Sequence, residues 1–118
     1  MEKKKTSKPL PKRKSSNAKT AVTKTKLTIV GIGASAGGLE ALEEFLSNVP
    51  TPSVCAFVVI QHLDPNHKGI MPELLQRATL MKVKQAGNRM KVQPNFVYVI
   101  PPNKDLSILH GLLFLLDP

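Results

Sequence analysis

The chain has 118 residues, with 17 Lys and Arg against 8 Asp and Glu, a formal net charge of +9 and a single cysteine. That length allows one domain at most, and one cysteine excludes a disulfide framework. No apolar run reaches membrane length and no secretory h-region is present, which points to a soluble cytoplasmic protein with no membrane insertion.

The charge is divided sharply along the chain. Residues 1–26 hold Lys3, Lys4, Lys5, Lys8, Lys12, Arg13, Lys14, Lys19, Lys24 and Lys26 but only one acid, Glu2, whereas bases and acids balance from Leu27 onward. With Leu10 and Val22 as its main large apolar residues, this segment cannot bury enough surface to offset its conformational entropy. It reads as a disordered basic tail, 1–26, preceding a body, 27–118. A basic arm for nucleic acid or anionic lipid is one use for such a tail. The lack of aromatic residues and of regular spacing favours a solvated leader or linker and argues against nucleic acid.

Lys26-Leu27-Thr28-Ile29-Val30 predicts a short β-branched strand ended by Gly31, followed by the small-residue turn Gly33-Ala34-Ser35-Ala36-Gly37-Gly38. Leu39, Leu42, Phe45, Leu46 and Val49 then recur at helical spacing, with Glu40, Glu43 and Glu44 on the opposite face. Asn48 and Pro50 end that helix. The unbroken apolar run Val54 to Ile60 predicts a strand buried on both faces, as in a parallel sheet. Cys55 lies within it as a small buried hydrophobe.

A polar loop from Gln61 to Gly69 follows, then a shorter helix marked by Ile70, Leu74, Leu75 and Ala78. Lys82 to Ala86 and Phe96 to Ile100 read as further strands, the latter stopped by Pro101-Pro102. Leu106–Leu109 and Leu112–Leu116 flank His110-Gly111, a tight hairpin signal. The βαβα opening predicts an α/β fold with a doubly wound, Rossmann-like parallel sheet and an antiparallel hairpin addition. The body is short for that architecture, which implies a truncated chain.

The chemistry concentrates in the first turn. Gly33-x-Ser35-x-Gly37 between a strand and a helix is the context in which a G-x-S-x-G pattern presents a nucleophilic serine above a sheet edge. Small neighbours at Gly33, Gly37 and Gly38 keep the turn tight and open to substrate. The backbone N–H of Ala36, at the start of the helix, is positioned to face a developing oxyanion. The same stretch, Gly31-x-Gly33-x-x-Ala36, also fits a loose dinucleotide fingerprint. That reading wants an acid at the end of the second strand, where Gln61-His62 stands instead.

A histidine just past the second strand suits a hydrolase. If the two strands are parallel neighbours about 4.8 Å apart, side chains from both loops can meet, and His62 can take the Ser35 proton as general base. His62-x-Asp64-x-x-His67 offers three metal-ligating side chains, but Pro65 and Asn66 signal a turn and no second ligand cluster supports a metal. An anion-binding or scaffolding role for the Gly31–Gly38 turn is the non-catalytic alternative.

Three blocks, Ile32-Gly33-Ala34-Ser35-Ala36-Gly37-Gly38, Val59-Ile60-Gln61-His62-Leu63 and Val97-Tyr98-Val99-Ile100-Pro101-Pro102-Asn103, resemble in order and spacing successive parts of the CheB methylesterase domain. The resemblance covers about Leu27 to Asp117 and implies a chemotaxis enzyme that hydrolyses glutamyl γ-methyl esters on methyl-accepting receptors, in some members also deamidating glutamines. It implies a Ser-His-Asp triad in which Ser35 and His62 match the first two members, and it implies no metal or organic cofactor.

Two departures accompany the resemblance. Family members often carry Thr at the position of Ala36, a mild change where a backbone N–H does the work. The family's Asp follows a later strand in a loop of the pattern G-M-G-x-D-G, and neither Asp105 nor Asp117 sits in such a loop. The expectation is a chain that carries the amino-terminal portion of the domain and is nearly inactive by itself. Family members commonly have a phosphorylatable receiver domain ahead of the esterase, whereas only the basic tail precedes Leu27. Domains that begin in this way also resemble those joined to a CheR-type methyltransferase.

Overall fold

The computed structural model describes residues 26–35, 37–61 and 71–118. All but the last residue of the basic tail, together with Ala36 and residues 62–70, lies outside the described residues, as do the polar-loop ligands His62, Asp64 and His67.

Among the described residues, seven strands and two helices follow in the order β1 (Thr28–Ala34), α1 (Leu39–Ser47), β2 (Cys55–Gln61), α2 (Met71–Gln76), β3 (Lys82–Gln85), β4 (Met90–Lys91), β5 (Phe96–Val99), β6 (Asp105–Leu109) and β7 (Leu112–Leu116). Four of the strands form a parallel sheet in the order β1-β2-β5-β3. β4, β7 and β6 form a separate antiparallel sheet. The predicted α/β class and the antiparallel addition are both present.

The second strand explains the layering. Its side chains alternate between two cores, as a period of two requires. Phe57 and Val59 pack with Leu42 and Leu46 of α1 and with Met71 and Leu75 of α2. Ala56 and Val58 pack on the other side with Tyr98, Ile100 and Leu113. The described helices therefore cover one face of the parallel sheet, and the antiparallel sheet covers the other. Burial on both faces explains the lack of polar breaks from Ala56 to Val59, whereas Cys55 is half-buried and Val54 and Ile60, at the ends of the run, are exposed.

The first strand is longer than its sequence implies. Pairing with β2 continues through Gly31↔Val58, Gly33↔Ile60 and Ala34↔Gln61. Gly31 and Gly33 occupy exposed positions of β1, so the backbone ladder carries the strand where side chains contribute nothing. The turn accordingly begins at Ser35 rather than at Gly33. This placement also removes the dinucleotide reading's glycine turn, because both of its leading glycines lie within a paired strand.

In the antiparallel sheet, His110 and Gly111 have φ of 53° and 76°. Two consecutive positive values are the signature of a type I′ connection, whose twist matches that of the flanking strands. The two-residue β4 is too short to show any periodicity in the sequence. It is held beside β7 by neighbouring bonds from the Arg89 N–H to the Leu113 carbonyl (2.7 Å) and from the Val92 N–H to the Gly111 carbonyl (2.8 Å).

Tyr98 ties the two sheets together. Its ring is buried, and its hydroxyl accepts from the Gln93 N–H at 2.8 Å and donates to the Lys91 carbonyl at 3.3 Å. Burial raises the phenol above its ordinary value of 10.0, outweighing the Gln93 bond that lowers it. Because the folded state holds this proton more tightly, the contribution is complete below the unfolded value and is lost as pH climbs through the raised one. Tyr98→Phe is expected to lower unfolding free energy by about 1–2 kcal/mol in urea titrations at neutral pH, because it orphans the Gln93 N–H. The variant should also lose this tyrosine's share of the decline in stability above pH 10.

Candidate active site

Parallel pairing in register brings two chain segments out of the sheet at one edge. Ala34 ends β1 opposite Gln61, which ends β2. Ser35 follows at once and is exposed. Its carbonyl accepts from the Gly38 N–H at 2.9 Å, and the Gly38 carbonyl accepts from the Leu42 N–H at 2.9 Å as α1 begins. Glu40 lies in the first turn of that helix, where a carboxylate suits the positive end of the dipole.

The carboxyl edge of the parallel strands is also where the surface is hollowed, as open α/β sheets require of their binding crevices. A cavity of about 540 Å³ lies there, lined by Gly33, Ala34, Ile60, Gln61, Ile100, Pro101 and the Asn103–Asp105 segment. An adjoining hollow of about 400 Å³ is lined by Ser35 itself with Ile32, Gly38, Ala41, Leu42 and Phe45. Gly33 and Ala34 border both, whereas Ser35 lines the second alone, one residue past that shared border.

The glycines of the turn have different roles. A Cβ added at Gly31, Gly33 or Gly37 would meet no described atom within 4 Å. Among the described residues nothing crowds Gly33 or Gly37, and the space beside them is open. Gly38 is the crowded position. Its Cβ would fall 2.9 Å from the Ala34 Cβ and 3.2 Å from the Ser35 carbonyl oxygen. Its φ of −91° is open to any residue, so the constraint is space rather than backbone conformation.

Of the residues expected to act, the structure describes Ser35, Gly33, Gly37 and Gly38, whereas His62 and Ala36 lie outside the described residues. It adds one that the sequence reading assigned to the polar loop. Gln61 is the last residue of β2 and only 8% exposed. Its Nε2 donates to the Ser35 carbonyl at 3.1 Å. The available signal was an amide closing an otherwise apolar strand.

Charge near the cavity is largely self-compensated. Lys104 pairs with Asp117 and, through that hydrogen bond first and its charge second, holds the Asp117 carboxyl below its ordinary range. Asp105 is exposed at the start of β6 and lines the same cavity. Among the described residues, no three His, Cys, Asp or Glu side chains converge as a metal-ligand set. No helix among them is long and apolar enough to cross a membrane.

A parallel sheet with a serine turn at the carboxyl end of one strand, opening on an edge crevice, is an arrangement used by α/β hydrolytic enzymes. Residues 30–116 match the family model described as CheB methylesterase, and the chain belongs to that family. It is 33% identical over 81 residues to the protein-glutamate methylesterase/protein-glutamine glutaminase 2 of Shewanella sp. (strain MR-4), covering 69% of this chain and 23% of that one. It is 32% identical over 80 residues to the protein-glutamate methylesterase/protein-glutamine glutaminase of Thermotoga maritima, covering 68% and 23%. The crystal structure of the Thermotoga maritima CheB methylesterase catalytic domain superposes with a TM-score of 0.66 at 30% identity, over 78% of this chain and 50% of that domain. The chain thus spans about half of the solved catalytic domain and about a quarter of those two relatives.

Gly38→Ala should destabilise the protein by about 1–3 kcal/mol through overpacking against Ala34, whereas Gly31→Ala should change stability by less than about 0.5 kcal/mol. Thermal or urea unfolding of the two variants, side by side, checks the contrast.

Proposed function

We propose that this chain carries the nucleophile and base of a protein-glutamate methylesterase acting on methyl-accepting chemotaxis receptors. The observation that carries the reading is the parallel pairing of β1 with β2 up to Ala34↔Gln61. Ser35 is the residue after the first of these, and His62 follows the second in sequence. Family membership and the edge crevice support it independently.

In this reading His62 removes the Ser35 proton as the hydroxyl oxygen bonds to the ester carbonyl carbon. The carbonyl π electrons move onto its oxygen, and the Ala36 N–H stabilises that oxyanion. Collapse restores the carbonyl and expels methoxide, which takes the proton from His62 and leaves as methanol. Water then adds to the acyl-serine by the same route and releases a glutamate carboxylate. The paired names of the relatives fit one site, because replacing the methoxy group with an amide NH₂ changes only the leaving group to ammonia. The site calls for no metal or organic cofactor. A CheR-type methyltransferase is the enzyme that would make the methyl esters this one removes.

No acid is assigned here to orient His62. In a serine protease triad, losing that function costs on the order of 10⁴ in kcat, so covalent capture of the serine is a better readout than turnover. A fluorophosphonate probe is expected to modify Ser35, identified by peptide mass. Ser35→Ala should abolish labelling, and His62→Gln should slow it by about 10²-fold or more. Labelling that ignores His62, or thermal stabilisation by NAD without any labelling, would sink the reading.

A further inference from the structure

Gln61 is out of character for its position. Tyrosine aside, it is the buried polar or charged side chain of the described residues, at the end of a strand that is otherwise Cys, Ala, Phe, Val, Val and Ile. Its Oε1 is buried with no hydrogen-bond partner among the described residues. A buried acceptor left unpaired is unfavourable, and an apolar residue of the same length would avoid it. Rotating the amide offers no relief, because Oε1 would then face the Ser35 carbonyl, acceptor against acceptor.

What the amide does achieve is specific. Its Nε2 reaches the Ser35 carbonyl at 3.1 Å across 26 residues of sequence, and the Gly38 N–H approaches the same oxygen at 2.9 Å. One carbonyl thus receives two donors, one from β2 and one from the entrance of α1. Two donors on one oxygen restrict rotation of the peptide unit that leaves Ser35. In a trans peptide the N–H points opposite the C=O, so a hold on this carbonyl also sets the direction of the donor assigned to the oxyanion.

We propose that Gln61 is a positioning residue for Ser35, clamping the carbonyl of the nucleophile so that its hydroxyl and the following N–H are presented together. The proposal rests on Ser35 being the nucleophile. A purely structural tie would make stability and reactivity fall together when it is cut. A positioning clamp that leaves an orphan acceptor makes them diverge.

The test compares fluorophosphonate labelling of Ser35 with the thermal midpoint in the full chain. Gln61→Met keeps the length of the side chain and removes both the donor and the orphan oxygen. Its labelling rate is expected to fall about tenfold or more, as small misplacements of reacting groups do, while the midpoint stays level or rises. In the native chain, the Gly38 amide should exchange with deuterium more slowly than in this variant.

Gln61→Glu gives a second, independent readout. Its buried carboxyl repels the Ser35 carbonyl when ionised and donates to it when protonated. The ratio of its labelling rate to that of the native chain is expected to rise as pH falls through the titration of the introduced carboxyl. Gln61→Met labelling at the native rate would overturn the proposal and leave Ser35 as nucleophile. A parallel loss of labelling and midpoint, or a Gln61→Glu ratio flat with pH, would reduce Gln61 to a structural tie. Failure of the native chain to label at Ser35 would remove the nucleophile itself, and the clamp with it.

Discussion

The arrangement depends above all on the backbone ladder between the first two strands. Seven consecutive Cα pairs, from Thr28↔Cys55 to Ala34↔Gln61, hold β1 and β2 parallel and in register. A parallel ladder must be covered on both faces, and the alternation along β2 shows how that is done. Phe57 and Val59 face the helices, while Ala56 and Val58 face the antiparallel sheet. Register then decides the chemistry. A slip of one residue would turn each buried side chain to the opposite face and separate the end of β2 from the end of β1.

The parts of the fold that follow from pattern were legible in the sequence. The apolar run at Val54–Ile60, the helical spacing from Leu39 and the hairpin around His110-Gly111 each express a single local rule, and each element is present there with its ends shifted by at most about two residues. The misplaced boundaries have tertiary causes. Gly31 and Gly33 look like the end of a strand because glycine has poor strand propensity, yet pairing with β2 carries the strand past both. Gln61 looks like the start of a loop because it is polar, yet it is the last paired residue of β2. β4 left no signal because two residues cannot display a period. The candidate site was legible at Ser35 and at the helix entrance, but not at Gln61, whose role depends on a contact 26 residues away in sequence.

The crevice itself follows from the topology rather than from any motif. β5 inserts between β2 and β3, and the segment after it, Ile100 to Asp105, rises beside the ends of β1 and β2. The third family-like block, Val97 to Asn103, thus supplies the far wall of the same cavity that Gly33 and Ala34 border. Three blocks that are each weakly specific in sequence become one feature when the parallel sheet aligns their carboxyl ends. That alignment gives the resemblance a physical meaning, since the described carboxyl-terminal residues of the blocks lie along one edge of one sheet.

Where local rules conflict with the fold, function is the usual reason, and the conflicts here converge on a single carbonyl. Gly38 must be glycine because a Cβ would press on Ala34 and on the Ser35 oxygen. Gln61 is an amide in an apolar strand, with one end bonded to that oxygen and the other without a partner among the described residues. Neither choice improves the core. Together they let a short turn approach closely enough for two donors to hold it, at the cost of chain entropy at Gly38, the N-cap of α1, and of polar satisfaction at Gln61. A turn that served only to connect β1 to α1 would need neither residue, and under the proposed role both serve to hold the Ser35 carbonyl.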